Sequence, residues 1–248
     1  MEGLCKVICL FVIACLVVSS ANAIGLTVAD STADFQAAMA QDPNGKATQG
    51  FANWQYGVYM YEYMGDIVNE FHVSPVWDSP RKLWLDGEAY IGDYAMHPHS
   101  NDWWTCRLWT SEIDGTMNIH GKYVLNPSSA DGIVLHIIVN GTEVWQLEVL
   151  PQQNPVNPYG DEVDYEVTGL DIGAGQSVVF AVSPNGTIQF DGCAWSQIID
   201  LEPTTCAEVW AYGVGMSEDI NKDCIVDFED FAMMAAKWLV SNEPLPLP

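Results

Sequence analysis

The segment IVLHIIV, residues 133–139, is joined through Asn140 and Gly141 to the segment TEVWQLEV, residues 142–149, and this stretch decides the fold. Both segments are rich in the β-branched and apolar residues that favour strands. Asn-Gly tolerates the two positive φ angles of a type I′ turn, so the stretch predicts an antiparallel β-hairpin with a two-residue loop.

A two-residue loop also sets the register of the two strands. The expected pairs are Val139 with Thr142, Ile137 with Val144 and His136 with Trp145. His136 is therefore expected to be a cross-strand partner rather than a catalytic base.

Similar signals recur through residues 24–200. A second Asn-Gly pair, Asn185 and Gly186, separates SVVFAVSP from TIQFDG and predicts another hairpin. The region is rich in Trp, Tyr, Val, Ile and Thr, and Gly, Pro, Asn and Asp interrupt it at short intervals, which is typical of many short strands. Without alternating helices, such strands favour a mainly β fold, an antiparallel jelly-roll-like β-sandwich, over a parallel α/β sheet.

One helix is expected to open this region. Ser31 is placed to cap a segment that runs from Thr32 to about Ala40. Asp34 falls in the first turn of that segment, where the helix dipole favours a negative charge.

The amino terminus predicts export from the cell. The apolar run of residues 7–18 is too short to span a bilayer, and Ala21 and Ala23 after it form an AxA cleavage site. We therefore expect residues 1–23 to be a signal peptide and the mature protein to be secreted or held at the cell surface. The residues before Cys15 resemble a lipobox, so lipid-anchored export is the alternative.

The charge of the chain restricts its partners. The formal net charge is −25 at pH 7, which repels nucleic-acid phosphates and anionic lipid surfaces. The sequence after the signal peptide contains no apolar run long enough to span a membrane. Cations and neutral ligands are the expected partners.

Four cysteines remain after the signal peptide, namely Cys106, Cys193, Cys206 and Cys224. An even number in an oxidising compartment predicts two disulfides, for which three connectivities exist. We favour 106 with 193 and 206 with 224, because the last two lie in one short segment.

A run of oxygen ligands near the carboxyl terminus predicts a calcium site. Positions 1, 3, 5, 9 and 12 of DINKDCIVDFED are occupied by Asp219, Asn221, Asp223, Asp227 and Asp230. The carbonyl of Ile225 falls at position 7, and this is EF-hand spacing. The expected cofactor is Ca²⁺.

Helices are predicted on both sides of this loop. Thr205 and Glu208 form a capping box, and Gly213 is placed to end the first helix. In the second helix the apolar residues Phe231, Met234, Ala235 and Trp238 recur at helical spacing. We expect this stripe to be a packing face rather than a free binding surface.

Residues 205–240 resemble a dockerin segment, with an EF-hand-like loop that has Asp at position 12 and an apolar helix after it. Dockerins carry two such repeats and this segment has one, and position 6, usually Gly, is Cys224. A positive φ at Cys224 costs about 1 kcal/mol, which a disulfide to Cys206 would offset. The resemblance implies a cohesin-like or other cell-surface protein as partner.

The larger region resembles the jelly-roll, carbohydrate-binding-like domains of secreted bacterial proteins. The segments that carry this resemblance are residues 49–59, 95–100, 106–121 and 131–145. It implies a role in binding polysaccharide, with no catalytic residues to assign.

Sugar recognition needs aromatic faces for the pyranose ring and planar polar groups for its hydroxyls. The candidate ligand-binding residues are Trp54, Tyr56, Trp84, His97, Arg107 and Trp109. His97 and His99 also form a metal-binding HxH pair if extended, but the remaining cupin pattern is missing.

The resulting organisation is a β-sandwich over residues 24–200, a dockerin-like segment over 205–240 and a tail over 241–248. The predicted function is that of a secreted, non-catalytic, calcium-binding protein whose sandwich binds polysaccharide. The alternatives are a polysaccharide lyase or glycoside hydrolase on the same sandwich, or a cell-surface adhesion or structural protein.

Overall fold

The computed structural model of the chain describes residues 25–125, 129, 131–151, 162–213 and 215–237. In this part of the chain, antiparallel strands form two sheets whose apolar side chains meet in one core, so the predicted mainly β sandwich is confirmed. The predicted signal peptide, residues 1–23, and the predicted tail, residues 241–248, lie outside the described residues.

The strands are short, as the spacing of the turn residues predicted. In chain order they are β1 Leu26–Asp30, β2 Trp54–Tyr63, β3 Asp66–Val73, β4 Val76–Asp78, β5 Leu83–Asp86, β6 Ala89–Ile91, β7 Ala95–His97, β8 Trp104–Thr110, β9 Gly115–Leu125, β10 Ile133–Val139, β11 Thr142–Val149, β12 Val163–Ile172, β13 Ser177–Pro184, β14 Cys193–Trp195 and β15 Ile198–Glu202. The first sheet has the order β1-β15-β9-β14-β7-β6-β5-β4, with β12 also paired to β9. The second sheet has the order β11-β10-β13-β8-β2-β3.

Three α-helices accompany the strands in the described residues: α1 Ser31–Gln41, α2 Cys206–Ala211 and α3 Phe228–Lys237. Helix α1 confirms the predicted opening helix, but its N-cap is Asp30, whose Oδ1 accepts hydrogen bonds from Thr32 N and Ala33 N. The Ser31 hydroxyl is buried and accepts from Gln197 N, so it serves the sandwich instead. No helix in the described ranges is long and apolar enough to cross a membrane.

The hairpin of β10 and β11 has the predicted strands, and Val139 pairs with Thr142 as expected. A β-bulge then shifts the register, so that Ile137 pairs with Trp145 and His136 pairs with Gln146. The two predicted pairs beyond the turn are therefore wrong by one residue. The bulge leaves Val144 on the exposed side and turns Trp145 towards the core, where its ring lies 5.3 Å from that of Tyr165.

The second predicted hairpin is wrong. Strand β13 forms as expected, but residues 187–192 form no strand. Asn185 N instead donates to Gly132 O at 3.2 Å, and Thr187 N donates to Asp131 Oδ2 at 2.8 Å. These bonds hold the segment as a loop against the start of β10.

The second sheet is curled towards its outer face. Three strands separate β3 from β10, yet Asn69 Nδ2 of β3 donates to Gly141 O after β10 at 3.0 Å. Tyr59 O–H donates to Asn69 Oδ1 at 2.7 Å. The curl encloses a second, smaller core made of Tyr59, Cys106, Leu108, Ile138, Val179 and Ala181.

The predicted disulfide between Cys106 and Cys193 is wrong, since both cysteines are free and buried. Cys106 belongs to the small outer core and Cys193 to the core between the sheets. Successive side chains of a strand point to opposite faces, and sheets pack about 10 Å apart. The two sulfurs thus lie on different sides of the second sheet.

A fully buried arginine connects the two sheets. Arg107 of β8 donates from Nη1 to Trp195 O and Gln197 Oε1 at 2.5 and 2.7 Å. Its Nη2 donates to Gly92 O and Asp93 O at 3.2 and 3.0 Å. Burial lowers the pKa of Arg107 to about 10, so the group stays charged at neutral pH.

The carboxyl-terminal segment confirms the other disulfide. Cys206 and Cys224 are bonded, with their Cα atoms 5.6 Å apart. Thr205 and Glu208 form the predicted capping box of α2. Cys224 has the expected positive φ, 68°. The bond therefore ties the start of α2 to the loop that precedes α3.

We predict that Arg107→Met will lower the free energy of unfolding by about 3 kcal/mol, because it leaves the buried acceptors without a donor. Chemical denaturation measures this change. Arg81→Met is the control, since Arg81 pairs with Asp78 at the surface, and its unfolding midpoint should stay unchanged. Equal midpoints for the two variants would contradict the role of Arg107.

Opening the disulfide should destabilise only the carboxyl-terminal segment. Closing a loop between residues 18 apart contributes about 3 kcal/mol by the chain-entropy relation. In the double variant Cys206→Ser with Cys224→Ser, amide hydrogen exchange should accelerate in α2 and α3. Exchange in β8 and β13 should stay unchanged and serves as the internal control; equal acceleration there would contradict the prediction.

Candidate functional site

Five of the six side chains predicted to bind sugar lie in the core between the sheets. They are Trp54, Tyr56, Trp84, Arg107 and Trp109, and none is more than 3% exposed. In the register of β2 and β8, Trp54 lies opposite Trp109 and Tyr56 opposite Arg107, all facing inward. A ring enclosed on both faces cannot stack on a pyranose, so these five assignments are wrong.

His97, the sixth, ends β7 and remains partly exposed. Its ring centroid lies 5.2 Å from that of Tyr90 on the neighbouring strand β6. Its Nδ1 lies 2.8 Å from Pro98 O, which leaves Nε2 without a hydrogen-bond partner among the described residues. The structure thus keeps one of the predicted ligand residues at the surface.

Asp191 lies next to this ring pair and is fully buried. Its Oδ1 accepts from Ser129 Oγ at 2.6 Å, whereas Oδ2 has no hydrogen-bond partner in the described part of the chain. Burial raises the pKa of Asp191, and hydrogen bonding to Ser129 opposes this effect. At Gly192, a Cβ would lie 2.6 Å from the Tyr90 hydroxyl and 3.9 Å from His97, so these groups converge.

An exposed aromatic ring completes the arrangement. Phe190 immediately precedes Asp191, is 66% exposed and has φ 63°. A bulky residue in this region of φ is strained, and such strain often marks a functional position. We call Tyr90, His97, Ser129, Phe190 and Asp191 the loop-end cluster.

Sequence reasoning missed Phe190 and Asp191 because it placed TIQFDG in a strand. The signal that marks them is the Asp191-Gly192 pair, a turn dipeptide that argues against a continuous strand. Asp191 lies beside His97 because β14 pairs with β7, and no local sequence pattern predicts that pairing.

The described residues bring no third ligand to the alternative metal site of His97 and His99. His99 is partly exposed, and its buried Nδ1 has no hydrogen-bond partner in the described residues. Within residues 25–125, 129, 131–151, 162–213 and 215–237, no group of three or more His, Cys, Asp or Glu side chains is gathered to hold a metal ion.

Two clefts carry carboxylates, which the enzyme alternatives require. A cavity of about 400 Å³ between the sandwich and α2 is lined by groups that include Asp114, Asp171, Glu202 and Glu208. A second cavity, of about 540 Å³, lies on the outer face of the first sheet and is lined by groups that include His120, Asp164, Glu166 and Asp200. His120 Nε2 lies 3.0 Å from Asp200 Oδ2, so these two side chains are hydrogen-bonded to each other.

The predicted calcium loop is tightly curved around its own carboxylates. Asp219 Oδ1 accepts from Lys222 N and Asp223 N, and Oδ2 accepts from Cys224 N at 2.7 Å. Asp230 accepts from Ile220 N, Asn221 N and Asp227 N. Hydrogen bonding to backbone N–H groups, that of Asp227 first, lowers the pKa of Asp230. Both carboxylates therefore lie inside the loop, each held by backbone N–H groups.

The stripe on α3 is not a packing face in the described residues, so that prediction is wrong. Phe231 is 58% exposed and Met234 43% exposed, and Phe228 at the start of the helix is 83% exposed. The last member of the stripe, Trp238, lies outside the described residues.

No family model matches the chain, and no curated protein matches it. Among solved structures, a family 35 carbohydrate-binding module from an environmental isolate is 15% identical, with a TM-score of 0.31, covering 59% of this chain and 93% of the module. A family 35 module from Clostridium thermocellum is 17% identical, with a TM-score of 0.29, covering 47% of this chain and 85% of the module. The CBM36-1 domain of a multidomain xylanase from the hindgut metagenome of Trinervitermes trinervoides is 15% identical, with a TM-score of 0.30, covering 42% of this chain and 74% of that domain.

Proposed function

We propose that this chain is a secreted protein that binds polysaccharide at the loop-end cluster and calcium at residues 219–230. The observation that carries the first part is the exposed ring of Phe190, which has a positive φ of 63° and directly precedes Asp191 in the loop-end cluster. In this proposal the sandwich spans the strands up to Glu202, and the dockerin-like unit spans residues 205–240.

The loop-end cluster offers the two kinds of contact that a sugar needs. Phe190 presents a ring face to solvent, which suits the C–H face of a pyranose. The Nε2 of His97, which has no hydrogen-bond partner among the described residues, supplies the polar contact. The ligand that fits is neutral, since the chain carries a net charge of −25.

The polysaccharide proposal is tested by measuring the affinity of the full chain for a panel of neutral polysaccharides. Phe190→Ala should weaken binding about tenfold, because a ring at the centre of a contact contributes more than about 1 kcal/mol. His97→Ala should weaken it as well, since it removes the partly exposed imidazole with its Nε2.

The matched control is Phe228→Ala, which removes a ring from α3 that is more exposed than that of Phe190, 83% against 66%. It should leave the affinity unchanged. The proposal fails if no neutral polysaccharide binds, or if Phe190→Ala and Phe228→Ala bind alike.

The donor set of the loop suits calcium, a hard cation that takes six to eight oxygens. Asp219 and Asp230 are each only 3% exposed, and no described Lys, Arg or His side chain pairs with either. Lys222 is a residue of the loop, but its Nζ lies over the Trp210 ring, 4.9 Å from the ring centroid. Within the described residues the loop carboxylates are not gathered in a group of three or more, and Ca²⁺ would draw them together and offset their mutual repulsion.

The calcium proposal is tested by isothermal titration of the full chain after chelation. We expect a dissociation constant in the micromolar to millimolar range and a gain in helicity. Asp219→Ala combined with Asp230→Ala should abolish both. Glu218→Ala, which removes an exposed carboxylate immediately before the loop, should retain them. Titration without heat and without a change in circular dichroism would refute the proposal.

The exposed face of α3 favours a second partner, a cell-surface or cohesin-like protein. Three of its apolar side chains, Phe228, Phe231 and Met234, recur at intervals of three residues on a short helix next to the predicted calcium loop, and each is at least 43% exposed. Exposed apolar patches of this kind mark sites of protein association. Calcium would order the helix and thereby the docking face.

A further inference from the structure

Three polar side chains form a hydrogen-bonded relay on the outer face of the second sheet. His136 Nε2 lies 2.8 Å from Ser183 Oγ, and His136 Nδ1 lies 2.6 Å from Glu143 Oε1. Ser183 and His136 are each 5% exposed, and the Glu143 side chain is 23% exposed. The three residues come from β13, β10 and β11, which are neighbours in the sheet.

The acid in this relay sets the tautomer of the imidazole. A carboxylate only accepts hydrogen bonds, so Nδ1 of the neutral ring carries the proton that Glu143 accepts. Nε2 then has a lone pair, and the Ser183 hydroxyl donates to it. This is the order of groups in a serine nucleophile with its general base and its orienting acid, an arrangement recognised by geometry rather than by sequence order.

The surroundings hold the imidazole in place. The Trp104 ring stacks on His136, with centroids 4.1 Å apart and planes 13° apart, and Tyr61 stacks on the other side of Trp104 at 5.7 Å. His136 cannot rotate without breaking this stack and both hydrogen bonds. The low exposure of Ser183 admits only a small group to its hydroxyl.

We infer that Ser183 is a nucleophile that hydrolyses esters of short acyl groups, with His136 as general base and Glu143 as a positioning residue. Ser183 Oγ bonds to the ester carbonyl carbon while its proton passes to His136 Nε2. The C–O bond to the alcohol then breaks, and the alcohol leaves with that proton. Water attacks the acyl-serine, again through His136, and releases the carboxylic acid and free Ser183.

The backbone around Ser183 limits the rate. Ser183 pairs with Val134 of β10, the next residue is Pro184, which has no N–H group, and Asn185 N donates to Gly132 O. The described residues therefore supply no pair of free N–H groups to stabilise an oxyanion. In efficient hydrolases each such donor raises the rate on the order of 10²-fold or more. Both steps are therefore slow, but p-nitrophenolate is a far better leaving group than the serine alkoxide, so we expect acylation by p-nitrophenyl esters to be faster than deacylation.

The experiment treats the full chain with a fluorophosphonate probe and maps the labelled peptide by mass spectrometry. The expected result is label on Ser183, together with a burst of p-nitrophenol from p-nitrophenyl acetate equal to the protein concentration. Ser183→Ala should lose both. Ser111→Ala, which removes a similarly buried hydroxyl that bonds to Ile113 O, should retain both.

The partner residues are tested by rate. His136→Gln should slow labelling about 10²-fold, the usual contribution of a general base. Glu143→Ala should slow it too, and added formate should restore part of the rate, which a purely structural role of Glu143 would not allow. Unfolding midpoints check that each variant is folded.

Absence of label from Ser183 in the folded wild-type chain would overturn the inference, as would label on another residue alone. So would equal p-nitrophenol bursts from folded Ser183→Ala and wild-type protein. The relay lies outside the loop-end cluster, so this result is independent of polysaccharide binding.

Discussion

A buried guanidinium group is the constraint on which the arrangement of the sandwich depends. Arg107 comes from the second sheet, and all of its acceptors belong to the first sheet or to its connections. A desolvated charge without a carboxylate partner has to be matched by several dipoles at once. The carbonyls after β6 and at the end of β14 are thereby held at one position beneath β8. His97 lies on β7, which begins just after these carbonyls of Gly92 and Asp93, and Asp191 lies just before β14. The geometry of the candidate site therefore follows from this internal contact.

The curl of the second sheet has a different consequence. It gives that sheet two buried faces, one in the main core and one in the small outer core. Polar residues enclosed on the outer face need partners of their own, and His136, Ser183 and Glu143 satisfy one another there. A flat sheet would leave these three groups in water, where their mutual orientation would be lost. The proposed nucleophile therefore depends on the contact between Asn69 and Gly141 that closes the curl.

The carboxyl-terminal unit follows another principle, because little of it is buried. A capping box, one disulfide and backbone donors directed at two internal carboxylates define its shape. Such a unit gains little from apolar burial and needs covalent or ionic constraints. The apolar side chains on α3 remain at the surface for the same reason.

Local chemistry let the sequence alone determine the fold class, the bounds of β10 and β11, the capping box of α2 and the bond between Cys206 and Cys224. Each depends on residues near one another in the chain. The sequence also predicted the residue types that a sugar site uses, but it could not distinguish core rings from surface rings, because aromatic residues suit both. Only the tertiary structure decided that Trp54 faces the core, that Cys106 and Cys193 lie on different faces, and that Asp191 meets His97. These outcomes depend on strand order, a bulge and the curl of a sheet, which arise from contacts between distant segments.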